Sequence, residues 1–310
     1  MMQKKPEASE PSGQTLPLVS AVITTHNRLP LLKLAVESVL AQTYSNMELI
    51  VVDDGSDDGT RAFCESQPFR YIFIPKEESG GGNHARNVGV RAARGEYVAF
   101  LDDDDTWMPE KTAKQVALLE QTGCEIVHCG WRMMWIEGEQ VTYIDQIPPA
   151  VYEGDLSRKI LLRYHYPVTS EIIVRRQALL DIGLYDEQLK ASQEYDLMIR
   201  LAQRGPIYFV HEPLIVYRHD TNDTSRCAFK FQNWLDSVHY ILRKHADLYA
   251  RLSAKERRIE RRQRFLEIDG RACAAHLTGF RWRLHHMAAS TMRFFPRAFG
   301  YVRRHWLNEE

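Results

Sequence analysis

The strongest constraint on the fold is an alternation of short apolar runs with segments of helical periodicity. The apolar runs are rich in β-branched residues and lie at 17–24, 48–52, 71–74 and 97–101. Apolar residues recur at helical spacing after the first run, and a helical segment at 85–93 follows three glycines. Further on, the pattern is less regular and predicts short strands at 125–129, 169–174 and 207–210. Alternation on this scale predicts an α/β fold, a mostly parallel sheet with helices on both faces.

Polar residues follow three of these runs directly. They occupy positions 24–27, 53–56 and 102–105. In open parallel sheets, ligands bind outside the carboxyl ends of the strands. The three loops are therefore expected to meet at one edge of the sheet, and we place the functional site there.

The third loop is a run of four aspartates. Adjacent carboxylates repel one another unless a cation, hydrogen bonds or water offset their charge. Alternate side chains, Asp102 and Asp104, can converge on one ligand, and oxygen-only ligands favour Mg²⁺ or Mn²⁺ over zinc. Such an ion on a diphosphate would neutralise the charge that builds on a leaving group. The alternative for this run is a solvated acidic turn.

Two other polar positions are suited to a nucleotide. Asp54 precedes a Gly-Ser pair, which is common turn chemistry, but its carboxylate could also accept hydrogen bonds from a base imide or a ribose. Arg86 begins a helix, where a guanidinium suits a nucleotide or its phosphates. The glycines at 80–82 have neither Walker nor GxGxxG spacing, which excludes a P-loop and a dinucleotide fingerprint.

Five segments resemble, in order, the family 2 glycosyltransferases, which have the GT-A fold. They read VSAVITTHNR at 19–28, SVLAQTY at 38–44, VVDDGSDDGT at 51–60, ARNVG at 85–89 and FLDDDDTWMP at 100–109, the DXD segment. One such motif is weak evidence, but five in register are specific. The resemblance covers about two-thirds of the chain and implies a Rossmann-like, nucleotide-sugar-binding GT-A domain at 17–225.

The resemblance implies a donor site residue by residue. The residues expected to hold the nucleotide are Thr24, His26, Arg28, Asp54 and Arg86. Asp102 and Asp103 would lie near the ribose and the metal, and Asp104 would be the direct ligand of Mn²⁺ or Mg²⁺ through the diphosphate. The expected donor is a nucleotide sugar, with a UDP-sugar as the first choice.

The resemblance also implies an acidic general base opposite the donor. Glu194 stands where members commonly have an aspartate, and 195–201 match the helix that follows. Asp196 is the reserve candidate, although a structural carboxylate near a helix start is the commoner role. One base and one displacement at the anomeric carbon predict inversion of configuration. His219 ends the resemblance and could be a metal ligand, a phosphate contact or a structural histidine.

The ends of the chain differ from its middle in composition. Residues 1–16 are polar and read as a disordered leader. Residues 1–225 carry 22 basic and 33 acidic side chains, whereas 226–310 carry 18 and 8. The basic, helical region 226–310 is expected either to buttress the catalytic domain or to attach to anionic lipid. No motif beside its basic residues indicates binding to nucleic acid.

Composition also bears on location. No apolar run approaches the ~18 residues that a membrane-spanning helix needs, and the N-terminus lacks the apolar core of a secretory signal. Five cysteines without a CxxC pair fit a reducing compartment. We therefore expect a cytoplasmic protein, with peripheral binding to the inner face of the cell membrane as an alternative.

The expected function is that of an inverting, metal-dependent, hexosyltransferase-type enzyme. It would move a sugar from the nucleotide-diphosphate sugar to a hydroxyl of a glycan or lipid-linked acceptor in cell-surface polysaccharide synthesis. One alternative is a non-catalytic nucleotide-sugar-binding or scaffold protein of the same fold. Another is a nucleotidyltransferase, which should show a glycine- and lysine-rich triphosphate loop that residues 24–28 lack.

Overall fold

The computed structural model describes residues 16–163, 166–220 and 231–274. The strands are β1 (Val19–Thr25), β2 (Met47–Asp54), β3 (Arg70–Ile74), β4 (Tyr97–Asp102), β5 (Thr106–Trp107), β6 (Ile126–Glu137), β7 (Gln140–Gln146), β8 (Ile173–Arg175) and β9 (Tyr208–Asp220). The helices are α1 (Leu29–Leu40), α2 (Thr60–Glu65), α3 (Gly81–Ala92), α4 (Lys111–Thr122), α5 (Arg176–Asp181), α6 (Gln193–Ala202), α7 (Phe231–Lys244), α8 (Ala246–Ala250) and α9 (Ala254–Ala274). The expected leader lies outside the described residues, apart from Leu16.

The strands form one nine-stranded sheet in the order β3-β2-β1-β4-β8-β6-β9-β5, with β7 beside β6. The first four strands of that order pair in parallel. Beyond β4 the sheet is mixed: β8 runs antiparallel to both of its neighbours, and β6 and β9 are parallel to each other. The α/β prediction is confirmed, and the parallel part lies where strands and helices alternate in the sequence.

Alternate side chains of the parallel strands enter two cores on opposite faces of the sheet. Val22 and Phe100 belong to the core that also contains residues of α3 and α6. Ile23 and Leu101 belong to the core that contains residues of α1 and α4. The predicted helices on both faces are therefore present. At Gly89 of α3 an added Cβ would lie 2.4 Å from a Val22 methyl, so this glycine allows α3 to approach β1 closely.

The second half of the sheet departs from the sequence pattern in three places. The predicted strands at 125–129 and 207–210 are only the first parts of β6 and β9. β7 was not predicted, because all seven of its residues are exposed and leave no buried face to produce an alternation. The predicted strand at 169–174 instead begins with a 3₁₀ turn, Thr169–Glu171, which precedes β8.

The described part of the C-terminal region is helical, as expected, and packs on the rest of the protein. Ile241 of α7 and Leu252 belong to the same core as Val22 and Phe100. Trp234 of α7 packs in a smaller cluster with Ala191, which precedes α6. Among the described residues, no helix is both long enough and apolar enough to cross a membrane. Residues 275–310 lie outside the description.

Candidate active site

The carboxyl ends of β1, β2 and β4 bring the three polar loops together. Thr25 at the end of β1 pairs with Asp53 of β2, and Thr24 pairs with Asp102 of β4. The backbone register therefore places 24–28, 53–56 and 102–105 at one edge of the sheet, as the sequence analysis expected. Thr24 is nearly buried there, at 9% exposure.

Asp54 has one carboxylate oxygen that is fully bonded and one that is not. Its Oδ2 accepts hydrogen bonds from Ser79 Oγ and from the Gly81 amide, both at 2.9 Å. Its Oδ1 is buried and has no hydrogen-bond partner among the described residues. The His26 ring contacts the backbone of the same residue: its Nδ1 lies 2.7 Å from the Asp54 carbonyl oxygen. A buried acceptor without a partner is costly, so this oxygen is ready for a donor N–H or O–H.

Hydrogen bonds between the first two loops fix their shapes. The Asn27 amide donates to Ser56 Oγ at 2.8 Å, and Asn27 Oδ1 accepts from the Asp57 amide at the same distance. Asn27 has a φ of +52°, a left-handed conformation that asparagine tolerates better than most residues. The loop that carries His26 and Arg28 is thereby held against the loop after β2.

The four aspartates of the acidic run separate into two sets. Asp102, Asp104 and Asp105 each offer a carboxylate oxygen, and these three atoms lie within 4.8 Å of one another. Asp103 is instead 1% exposed and accepts a 2.7 Å hydrogen bond from Thr25 Oγ1, and burial raises its pKa to about 7. The oxygen-only set of three suits a hard divalent cation, and Asp103 does not belong to it.

Arg28 offsets part of the charge of this run. Its guanidinium lies 2.9 Å from Asp103 Oδ1 and 3.1 Å from Asp104 Oδ2. An opposite charge at this distance weakens the repulsion between adjacent carboxylates. The Arg28 side chain is 36% exposed, so it is accessible to a ligand while it contacts the acidic run.

Arg86 lies in the middle of α3, not at a helix start as expected, because α3 already begins at Gly81. It is buried between the acidic run and the core. Its NH2 group lies 2.5 Å from Asp102 Oδ1, and its guanidinium lies 5.5 Å from the centre of the Tyr185 ring. Burial opposes its charge, but the charge of Asp102 and a further contribution from Glu194 outweigh burial and hold its pKa above the ordinary value. Arg86 therefore lies within electrostatic reach of both Asp102 and Glu194.

Glu194, near the start of α6, lies within electrostatic reach of Arg86 and Asp102. We call the space between Glu194 and the acidic run the cleft. Glu194 Oε1 accepts hydrogen bonds from Thr169 Oγ1 at 2.7 Å and from Gln193 Nε2 at 2.8 Å. Burial raises its pKa, and the charge of Arg86 only partly counteracts that shift. Both of these hydrogen bonds end on Oε1, which leaves Oε2 available to a ligand. A carboxylate with a raised pKa is suited to accept a proton near neutral pH.

Asp196 lies on a different side of α6 and does not reach the cleft. It is completely buried, and its carboxylate contacts Arg200 at 2.7 Å, Lys244 at 2.9 Å and His245 at 2.8 Å. Burial opposes its ionisation, but the hydrogen bond from His245 and the charges of Arg200 and Lys244 hold its pKa well below the ordinary value. Asp196 therefore joins α6 to α7, whereas Glu194 faces the acidic run.

His219 lies on β9 and stacks on Trp135 of β6. The centroids of the two rings are 4.3 Å apart, and the ring planes make an angle of 26°. Among the described residues, the group of ligand atoms within 4.8 Å of one another contains the three aspartates and no histidine. The position of His219 is therefore explained by ring stacking in this structure.

Three residues of the candidate site were not predicted from the sequence: Asp105, Thr169 and Ser170. Asp105 is 2% exposed, and its Oδ2 accepts a 2.6 Å hydrogen bond from Ser170 Oγ. Thr169 and Ser170 are completely buried beneath the cleft. The only available signal was a Thr-Ser-Glu sequence inside a segment otherwise apolar enough for a core strand, since buried polar groups require partners.

Comparisons with known proteins agree on one family. The family model described as "Glycosyl transferase family 2" matches residues 20–183. An uncharacterized glycosyltransferase of Rickettsia typhi is 33% identical over 227 residues, which cover 70% of this chain and 69% of the relative. A putative teichuronic acid biosynthesis glycosyltransferase of Bacillus subtilis, TuaG, is 28% identical over 218 residues, covering 69% and 84% of the two chains.

Solved structures show the same fold. TarS residues 1–349 from S. aureus, in complex with UDP, superimpose with a TM-score of 0.54 at 18% identity, covering 81% of this chain and 82% of TarS 1–349. The same TarS fragment with UDP-GlcNAc gives a TM-score of 0.55 at 17% identity, covering 82% and 81%. These structures confirm the predicted GT-A fold.

Proposed function

Because this chain belongs to glycosyl transferase family 2 and is a glycosyltransferase, we propose that it is an inverting, metal-dependent enzyme. It transfers a sugar from a nucleoside-diphosphate sugar to a hydroxyl of a glycan or lipid-linked acceptor in cell-surface polysaccharide synthesis. The name of TuaG supports a polysaccharide product. The UDP and UDP-GlcNAc complexes of TarS support a UDP-sugar donor.

The observation that carries the proposal is that two consecutive residues, Thr169 and Ser170, hydrogen-bond to Glu194 and to Asp105 of the acidic run. Arg86 links the same two parts of the site. It contacts Asp102 of the acidic run at 2.5 Å and acts electrostatically on Glu194 of α6. A candidate proton acceptor and a candidate cation site therefore share one cleft. A non-catalytic sugar-binding protein has no need of a base opposite the acidic run, so this arrangement favours an enzyme.

The free oxygen of Asp54 supports binding of the nucleoside. Asp54 Oδ1 is buried without a partner, and the imide N–H of uracil is a donor of the kind that it requires. His26 and Thr24 line the same edge of the sheet. We assign the nucleotide base to the position beside Asp54 Oδ1, and the ribose and diphosphate to the neighbouring acidic run.

The proposed mechanism is a single displacement. Glu194 Oε2 accepts the proton of the acceptor hydroxyl, whose oxygen attacks the anomeric carbon from the face opposite the diphosphate and inverts its configuration. Arg28 and Arg86 place positive charge beside the donor. Asp102, Asp104 and Asp105 would hold Mg²⁺ or Mn²⁺, which when bound supplies positive charge that offsets the developing charge of the diphosphate.

Removing the Asp104 carboxylate is expected to abolish metal-dependent stabilisation by UDP. UDP and Mn²⁺ together should stabilise the wild-type protein by about 2.7 kcal/mol at a hundredfold excess over the dissociation constant. Asp104→Asn should lose this effect because one of the three carboxylates is gone. Thermal unfolding with UDP, Mn²⁺, both or neither measures it, with Glu139→Gln on the exposed turn after β6 as the control. Equal stabilisation of the wild-type and Asp104→Asn proteins would exclude Asp104 as a ligand.

Basic side chains of α9 support attachment to an anionic membrane. Lys255 and Arg258 are exposed, and Arg262 is partly buried. Lys255, Arg258 and Arg262 lie three and four residues apart and share one side of the helix. No ion pair engages these three side chains within the described part of the chain. A stripe of unpaired basic residues is attracted to anionic lipid. We place the enzyme in the cytoplasm, peripheral on the membrane where a lipid-linked acceptor is presented, and the free, buried thiols of Cys64, Cys124 and Cys129 support a reducing compartment.

Exchanging the α9 stripe is expected to weaken retention on anionic vesicles by about tenfold or more. The variant is Lys255→Gln/Arg258→Gln/Arg262→Gln, measured by co-sedimentation with phosphatidylglycerol vesicles and with phosphatidylcholine vesicles. The control exchanges three exposed basic residues elsewhere, Lys33, Arg91 and Lys190, for glutamine. Deletion of 226–310 would not test the stripe alone, because α7 shares the core of the protein. If both triple variants are retained equally, the stripe is only a solvated face.

A further inference from the structure

The 3₁₀ turn Thr169–Glu171 lies beneath the cleft and touches both of its halves. All three of its residues are buried, although each carries a polar side chain. Thr169 contacts the candidate base, and Ser170 contacts the acidic run. The turn is therefore a physical link between the two parts of the site.

Thr169 holds the Glu194 side chain. Its Oγ1 donates to Glu194 Oε1 at 2.7 Å. A threonine hydroxyl has one proton to donate, and here it is directed at the carboxylate. Because this bond and the one from Gln193 both end on Oε1, Glu194 is fixed through one oxygen and presents the other.

Ser170 holds the backbone and one side chain of the acidic run. Its Oγ donates to Asp105 Oδ2 at 2.6 Å and accepts from the Asp102 amide at 3.2 Å. The Ser170 carbonyl oxygen accepts a 3.1 Å hydrogen bond from Trp107 Nε1, just beyond the run. One serine therefore bonds to the beginning and the end of the four-aspartate loop.

The turn itself is held rigidly. Glu171 Oε1 accepts from the Val168 amide at 3.1 Å, which closes the turn on itself. The Glu171 carbonyl oxygen accepts from Gln115 Nε2 of α4 at 2.8 Å. A buried segment bonded at both ends has little freedom, so Thr169 and Ser170 keep a fixed separation.

We propose that Thr169 and Ser170 are positioning residues that together set the distance and orientation between the base Glu194 and the cation-binding carboxylates of the acidic run. This inference rests on the proposed function of Glu194 and of the run. In an inverting displacement, the acceptor oxygen and the departing diphosphate lie on opposite sides of one carbon. The base and the cation-binding carboxylates must therefore be held at a fixed distance and orientation relative to each other. Two consecutive residues of a rigid turn meet that requirement.

Thr169→Val tests the link to the base, because valine keeps the branched shape and removes the donor. Using the nucleotide sugar that the wild-type protein hydrolyses or transfers fastest in a panel of UDP-, GDP- and dTDP-sugars, we expect kcat to fall by about tenfold, with little change in KM. Thr169→Ser, which restores the hydroxyl, should recover most of the rate. Ser237→Ala, which removes a buried hydroxyl of α7, is the control and should leave kcat unchanged.

The pH profile separates positioning from a loss of stability. The hydrogen bond from Thr169 favours the ionised form of Glu194 and thus lowers its pKa. In Thr169→Val that pKa rises, so the acidic limb of the kcat/KM profile should move to higher pH by about one unit. Within the described ranges, the other titratable groups that interact with Glu194 are Arg86 of α3, Asp102 of β4 and the tyrosines Tyr166 and Tyr185, and all four are unchanged in the variant.

Ser170→Ala tests the link to the acidic run by a measurement that needs no turnover. The Mn²⁺ concentration that gives half-maximal thermal stabilisation in the presence of UDP should rise by about tenfold. The acidic limb of the pH profile should stay in place in this variant, because Glu194 keeps its bond from Thr169. An unmoved Mn²⁺ dependence would remove Ser170 from the role.

The outcomes distinguish this inference from the proposed function. If Glu194→Gln is inactive while Thr169→Val has wild-type kcat and pH dependence, positioning by Thr169 is wrong and the base assignment survives. If Glu194→Gln is fully active, the base assignment fails, and the role of Thr169 fails with it. Absence of turnover by the wild-type protein with every donor of the panel would contradict both.

Discussion

Replacing Asp196 with alanine should lower the free energy of unfolding by about 3–5 kcal/mol, because it removes a completely buried carboxylate and leaves the largely buried Arg200 and His245 without this partner. Asp196 is completely buried and contacts Arg200, Lys244 and His245. Urea unfolding followed by circular dichroism measures the change. Asp196 lies in the first turn of α6 and contacts Lys244 of α7. Loss of its carboxylate should therefore also loosen α6, the helix that carries Glu194.

The pH dependence of this effect has a definite sign. The pKa of Asp196 is lowered in the folded protein, so its contribution to stability is present above the unfolded value of about 3.9 and is lost as pH falls toward the folded value. The difference between wild type and variant should therefore be largest near neutral pH and shrink in acid. Asp196→Asn gives a folded alternative if the alanine variant does not accumulate.

A matched surface exchange provides the control. Asp181 pairs with Arg204 at 3.0 Å, but both side chains are about one-third exposed. Exposed pairs of this kind contribute little, so Asp181→Asn should leave the unfolding midpoint almost unchanged. Equal, small effects of both substitutions would show that the contacts of Asp196 do not stabilise the junction between α6 and α7.

The parallel half of the fold could be predicted from the sequence because its strands are buried on both faces. Such strands appear as continuous apolar runs, and their ends are marked by the polar loops at 24–28, 53–56 and 102–105. The register between Thr24 and Asp102 then follows from the topology of the sheet. For the same reason, the edge at which the site lies could be placed before any coordinates were known.

The division of labour inside the acidic run could not be predicted. Asp103 is buried against Thr25, whereas Asp105 joins Asp102 and Asp104. The backbone turns after β4, so the simple alternation of side chains along a strand no longer applies there. Four consecutive aspartates cannot be told apart by residue type. Their roles differ because each carboxylate contacts different neighbours in the folded protein.

The role of Asp196 and the turn beneath the site were also beyond sequence reasoning. The partners of Asp196 include Lys244 and His245, which lie about fifty residues along the chain. Thr169 and Glu194 are separated by 25 residues. Contacts of this range depend on how α7 and β8 pack, and no local pattern encodes them. The distinction between Glu194 and Asp196 therefore required the structure, since both lie in the first turn of α6.

Replacing Glu194 with glutamine should reduce sugar transfer by about 10²–10⁴-fold while donor binding is retained. The amide cannot accept a proton, but its oxygen can still accept the hydrogen bond from Thr169, so the local structure should persist. Rates are measured with the best donor of the nucleotide-sugar panel, and donor affinity is measured by calorimetry with UDP and Mn²⁺. Burial raises the pKa of Glu194, so the wild-type rate should fall as pH drops through a value above that of an ordinary glutamate.

Glu194→Asp is the informative companion, because it keeps the carboxylate and shortens the side chain by one methylene. The aspartate carboxylate would reach less far from α6, yet it could still take a proton, so its rate should lie between those of the wild-type and glutamine proteins. The acidic limb of the pH profile should persist in the aspartate variant and disappear in the glutamine variant, whose residual rate has no base to protonate. Transfer by Glu194→Gln at the wild-type rate would place the base elsewhere. With Asp196 buried under Arg200, Lys244 and His245, the carboxylates of the acidic run would be the next candidates.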